Sequence, residues 1–150
     1  MAKVLIIDND LDMCEVLAVT GRLRGHEMIC ASDAEEAISI AKGGFKPDAV
    51  IVDIYLNAGN GIDVLRQLRQ NGVEGFAIVF SGFIQTTDLS EWERLKIFDS
   101  LLKPASMPTL WAKIEDAAML TQQEGSLCDF LKGLIRRNEE AIGKYELASA

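Results

Sequence analysis

The sequence predicts an α/β domain, a parallel β-sheet with helices packed on both of its faces. Short apolar runs alternate with amphipathic stretches of helix length along the chain, which is the order of βαβ units. Three of the runs, at 4–7, 49–52 and 77–80, are continuously apolar, as in strands buried on both faces. The 150 residues are 49% hydrophobic and 25% charged, enough for one packed domain that buries roughly 68–70% of its unfolded surface. The crossovers should be right-handed.

Taken in order, apolar runs at 4–7, 28–31, 49–52, 77–80 and 97–102 are the expected strands, the last interrupted by Asp99 and Ser100. Leu11, Val16, Leu17 and Leu23 mark a first helix that ends near Gly25. Ser32-Asp33-Ala34-Glu35 spells a capping box before Ala37, Ile38 and Ala41, and Gly43-Gly44 stops that helix. Ile62, Leu65 and Leu68 mark a third helix closed by Asn71-Gly72, with Gly61 easing the turn into it. Ser90 with Glu93 is expected to cap a fourth, and Leu110, Ile114 and Ala117 carry a fifth. The polar stretch TQQEGS then reads as a break. Beyond it Leu127, Phe130, Leu131, Leu134, Ile142 and Tyr145 line one side of an extra amphipathic helix, with an interruption expected near Gly143. The expected division is a domain over 1–120 and a helical extension over 121–150. The extension should dock on its own domain or else form a homodimer or partner contact.

Fifteen basic and 23 acidic side chains leave a net charge of −8, so phosphate-rich surfaces are repelled over most approaches. Neither a nucleic-acid nor a membrane partner is expected. Cys14, Cys30 and Cys128 have no metal-like spacing, and His26 is the one histidine, which argues against zinc and for reduced thiols in a cytoplasmic protein. No segment approaches the ~20 apolar residues of a membrane span. His26 reads as an exposed turn residue, and Trp92 and Trp111 as side chains packing helices on the sheet.

Ligands of open parallel sheets bind beyond the carboxyl ends of the strands. Here the first strand runs into Asp8-Asn9-Asp10, the third into Asp53, the fourth into Ser81-Gly82 and the fifth into Lys103-Pro104. Each residue alone fits a structural role; Asp8 or Asp10, for instance, could cap the following helix. Together they suit phosphoryl transfer. Hard oxygen donors recruit Mg²⁺, a carboxylate can form an acyl phosphate, and a lysine and a hydroxyl can share the charge of the moving group. No P-loop or dinucleotide fingerprint follows the first strand, which disfavours nucleotide binding.

The motifs VLIIDND, PDAVIVDIYLNAGNGIDVL, AIVFSG and LLKP closely resemble those of the receiver domain of two-component response regulators, in order over about residues 3–120. The resemblance implies a five-stranded, doubly wound, flavodoxin-like sheet and a phosphoaspartate formed from a phosphohistidine. The donor would be a histidine kinase or a histidine phosphotransfer protein. It makes Asp53 the phosphoacceptor and Asp8 and Asn9 the pair that organises Mg²⁺. Ser81 becomes the hydroxyl that contacts the phosphoryl group, Lys103 the cation beside it, and Tyr55 the donor of a backbone carbonyl to the metal. Three positions depart from the family pattern. Asn9 replaces the second acid, Asn57 stands where a proline is common, and Ser100 stands where an aromatic is usual, with Phe98 nearby. The expected function is a stand-alone receiver that signals by protein contact in a two-component system or phosphorelay. It is not expected to be an enzyme. A pseudo-receiver left unphosphorylated because of Asn9, and a haloacid-dehalogenase-type phosphatase with Asp8 as nucleophile, stay open as alternatives.

Overall fold

The computed structural model describes residues 1–85 and 88–149, and the side chains at 128 and 141–149 lie outside that description. Strands β1 (Lys3–Ile7), β2 (Glu27–Ala31) and β3 (Ala49–Val52) are followed by a two-stranded hairpin, β4 (Tyr55–Leu56) and β5 (Gly59–Asn60); β6 (Phe76–Ser81) and β7 (Ile97–Leu102) complete the set. The helices are α1 (Leu11–Leu23), α2 (Ala34–Lys42), α3 (Gly61–Gln70), α4 (Leu89–Arg94) and α5 (Met107–Ser149). All pairings in the main sheet are parallel, in the order β2-β1-β3-β6-β7. The order reverses beside β1, and such a switch point opens a crevice at the strand ends.

Alternation along the strands splits the core in two. Val4, Ile6, Ile51, Ile78 and Phe80 face α1 and α5, where Leu17, Leu110, Trp111 and Ile114 cover them. Leu5, Ile7, Val50, Val52 and Val79 face α2 and α3, where Ala37, Leu65 and Leu68 do the same, with Trp92 packed at the edge. Both tryptophans therefore pack as expected.

The helix starts follow local chemistry. Asp10 accepts from the N–H groups of Asp12 and Met13 to cap α1. Asp33 accepts from Glu36 N–H, and the Glu36 carboxylate reaches back to Ser32 N–H and Oγ. This is a reciprocal cap that starts one residue later than its spelling suggested.

Four expectations need correction. Asp88, not Ser90, caps α4, because its carboxylate reaches Glu91 N–H while Ser90 already lies within the helix. His26 is not an exposed turn residue. Its ring stacks on Trp111 at 5.6 Å, and its Nδ1 accepts from Ala2 N–H at 3.1 Å. TQQEGS is not a break, nor is the helix interrupted at Gly143: α5 runs unbroken from Met107 to Ser149. One interior glycine costs only about 1 kcal/mol against alanine, too little to stop a helix already nucleated on the packed turns before it. Nor is the extension's apolar side buried on its own domain, although Thr121 and Glu124 at its start do contact the domain. Leu127, Phe130, Leu131, Leu134 and Ile135 are all exposed. Cys128, Ile142 and Tyr145, assigned above to the thiol set or the apolar side, fall among the side chains outside the description.

Candidate functional site: an acidic pocket at the strand ends

Four of the six expected site residues converge in one hydrogen-bonded cluster. Asp8 follows β1 and is 3% exposed, Asp53 follows β3 at 9%, and Ser81 ends β6 fully buried. Asp8 N–H bonds to Ala31 O and Asp53 N–H to Ile7 O, so the sheet's own register delivers both carboxylates to the same edge. Lys103, just past β7, reaches across them. Its Nζ donates to Asp8 Oδ2 at 2.6 Å and to Asp53 Oδ2 at 3.0 Å. Ser81 Oγ donates to Asp53 Oδ1 at 2.6 Å, and Tyr55 N–H donates to the same oxygen at 3.2 Å. Asp10 N–H holds Asp8 Oδ1 at 2.9 Å.

Two buried carboxylates against one ammonium leave the cluster with a formal charge of −1. Burial alone would lower the Lys103 pKa, but hydrogen bonds and charge attraction from Asp8 and Asp53 outweigh it and raise the value above the ordinary lysine range. The Phe80 ring lies 5.4 Å from Nζ and adds cation–π attraction. Behind Asp8, the Cys14 thiol donates to the Asp8 carbonyl at 3.3 Å. A hydrogen bond with Cys30 and burial raise the Cys14 pKa.

The other two residues stand at the rim. Asn9 does not join the cluster; its Nδ2 donates to Asn57 Oδ1 at 2.8 Å. Tyr55 begins the β4–β5 hairpin, and its ring packs on Phe83 with centroids 6.2 Å apart. Both rings are more than half exposed. Sequence reading missed the Asn9–Asn57 bond because 48 positions separate two ordinary polar residues, and no local pattern joins them. Phe98 does not take the place of the missing aromatic. It lies at the opposite end of β7, edge-on to Phe76 at 6.4 Å, beside a register shift between the two strands.

The donor set suits Mg²⁺. Among the described residues no group of three His, Cys, Asp or Glu side chains is arranged to hold a metal. Mg²⁺ needs only one or two carboxylates beside water and phosphate oxygens, and Asp8 and Asp53 offer buried all-oxygen ligands on adjacent strands. Asn9 Oδ1 and the Tyr55 carbonyl are the neutral oxygens nearby in sequence. Lys103 bonds to both carboxylates, so a cation entering there competes with its ammonium for them.

Comparison with known proteins agrees with this fold. The chain is 37% identical over 68 residues to the alkaline phosphatase synthesis transcriptional regulatory protein PhoP of Bacillus subtilis, a match covering 45% of this chain and 28% of that protein. It is 25% identical over 118 residues to the regulatory protein AtoC of Escherichia coli, covering 79% of this chain and 25% of that one. The matched region is thus under a third of either relative. Among solved structures, a CheY-like response regulator receiver domain protein from Methanospirillum hungatei superposes with a TM-score of 0.73 at 19% identity, over 83% of this chain and 98% of that one. No helix among the described residues is long and apolar enough to cross a membrane. The family description "response regulator receiver domain" matches residues 4–115, and the chain belongs to that family.

Proposed function

We propose that this receiver accepts a phosphoryl group on Asp53 from a phosphohistidine of a histidine kinase or histidine phosphotransfer protein, and passes the signal on by protein contact in a two-component system or phosphorelay. The observation that carries this is the cluster itself, one acceptor carboxylate held by Ser81 Oγ at 2.6 Å and Lys103 Nζ at 3.0 Å at the open edge of the sheet. An Asp53 carboxylate oxygen attacks phosphorus in line. The P–N bond breaks, its electron pair returns to the imidazole, and an acyl phosphate forms on Asp53. Ser81 and Lys103, which hold the free carboxylate, are within reach to hold the equatorial phosphoryl oxygens afterwards. Asp8, Asp53, Asn9 Oδ1 and the Tyr55 carbonyl would bind Mg²⁺, which supplies positive charge for the transferring group.

The test is incubation with a small phosphodonor and Mg²⁺, followed by intact mass and mapping of the modified residue. Modification of Asp53, abolished by Asp53→Asn and unaffected by Asp10→Asn, is the expected result. Turnover through Asp8 would favour the phosphatase chemistry, and no modification a pseudo-receiver.

A second feature supports a homodimer through α5. Leu127, Phe130, Leu131, Leu134 and Ile135 repeat at three- and four-residue intervals and are exposed. A second copy presents the same stripe about a two-fold axis. Sedimentation of the full chain should then show a dimer, and Leu131→Lys a monomer.

A further inference from the structure

We infer that Asn57 is a positioning residue for the metal site: its side-chain carbonyl holds the Asn9 amide so that Asn9 Oδ1 can serve as a neutral oxygen ligand. The inference rests on the Mg²⁺ reading above and adds to it a residue on a different loop. Asn9 sits immediately after the buried Asp8, and Asn57 lies between β4 and β5 at the turn of the hairpin. The donor of their 2.8 Å bond is Asn9 Nδ2. An amide nitrogen carries no lone pair for a cation, whereas the amide oxygen does. Both atoms branch from one planar group, so fixing the nitrogen on Asn57 fixes where the oxygen lies. Among the described residues nothing donates to Asn9 Oδ1, which leaves it open to a ligand.

The two family departures become one feature on this reading. An acid at position 9 has two equivalent oxygens, so either face of the group can meet a cation and no orienting partner is needed. An amide has one useful oxygen and one useless nitrogen, and it needs an acceptor to choose between them. Proline at 57 would offer no side-chain acceptor. Asparagine does.

The experiment is Mg²⁺ titration of the unphosphorylated full chain, followed by the backbone amide resonances of residues 8 and 53, with thermal midpoints as a folding control. Wild type, Asn57→Ala, Asn57→Asp, Asn9→Asp and the Asn9→Asp/Asn57→Ala double variant are compared. Loss of an outer-shell partner should weaken Mg²⁺ about tenfold in Asn57→Ala. The Asn9 side-chain amide resonance should shift in the same variant. Asn57→Asp keeps an acceptor oxygen and should bind at least as tightly as wild type. With aspartate at 9, Asn57→Ala should change affinity less than about twofold, because the oriented amide no longer exists. An equal loss in both backgrounds would show that Asn57 only braces the hairpin, and no loss in either would show that it does nothing for the metal; each overturns the inference. Failure of wild type itself to bind Mg²⁺ would overturn the metal reading beneath it, a result distinct from both.

Discussion

A Cβ added at Gly61 would lie 1.8 Å from the backbone oxygen of Asp53 and 2.8 Å from a Val52 methyl. The glycine is there because the start of α3 passes against the backbone of Asp53, not to ease a turn; its φ is outside the left-handed region. Gly61→Ala should therefore move Asp53 and cost about 1–3 kcal/mol, as overpacking does, and denaturant unfolding would measure it. Lys103 makes a different prediction. Its removal leaves Asp8 and Asp53 facing one another without a cation, which should cost about 1–3 kcal/mol at neutral pH. That is below the value for a sealed pair because the pocket opens to solvent. Since the Lys103 pKa is raised on folding, its contribution is fully present below the unfolded value of about 10.5 and fades as pH rises through the folded value. The stability gap between metal-free wild type and Lys103→Met should thus be flat from pH 7 to about 10 and narrow above that. Mg²⁺ should raise the melting temperature of Lys103→Met more than that of wild type, because a cation then fills the place of the ammonium.

Elements differ in how plainly the sequence announces them. The three inner strands were legible because parallel strands covered on both faces spell unbroken apolar runs, and the two edge strands, β2 and β7, as the apolar runs flanking them, the latter interrupted by Asp99 and Ser100. Asp8, Asp53, Ser81 and Lys103 were legible from their places at the carboxyl ends of those runs. The β4–β5 hairpin was not, since its two-residue strands carry no periodicity. The partnership of Asn9 with Asn57 hangs on that hairpin and was hidden with it. Asp88 was overlooked because a Ser-x-x-Glu spelling two residues later competed for the same cap. The strand ends also bring Tyr55 and Phe83 together, with ring planes inclined by 39°. The rings pack on one another two residues past Asp53 and Ser81, and if they border an acyl phosphate on Asp53 they would crowd the approach of an in-line water. Phosphoryl decay should accordingly be several-fold faster in Tyr55→Asn/Phe83→Glu than in wild type, measured by loss of label from Asp53. Equal rates would mean the two rings do not gate the water.

On the scale of the whole molecule, α5 changes surroundings partway along its length. Leu110, Ile114 and Ala117 bury against the sheet. The next turn still grips the domain at its edge, where Thr121 Oγ1 accepts from Phe76 N–H at 2.9 Å and Glu124 pairs with Lys96 at 2.8 Å. Past Gly125 the helix runs on with its apolar stripe exposed. Two truncations should therefore behave differently. A chain ending after Leu120 loses the acceptor of a backbone N–H and a partly exposed ion pair, together about 1 kcal/mol, most of it from the former. A chain ending after Gly125 keeps both and should unfold at the wild-type denaturant midpoint. Yet each should have lost the same association, because the stripe that a second copy would cover lies beyond both cuts. Sedimentation should show a concentration-dependent dimer for the full chain alone. If the cut after Gly125 were instead as destabilised as the cut after Leu120, the extension would be holding its own domain together, and a monomeric full chain would remove the reason to invoke a second copy.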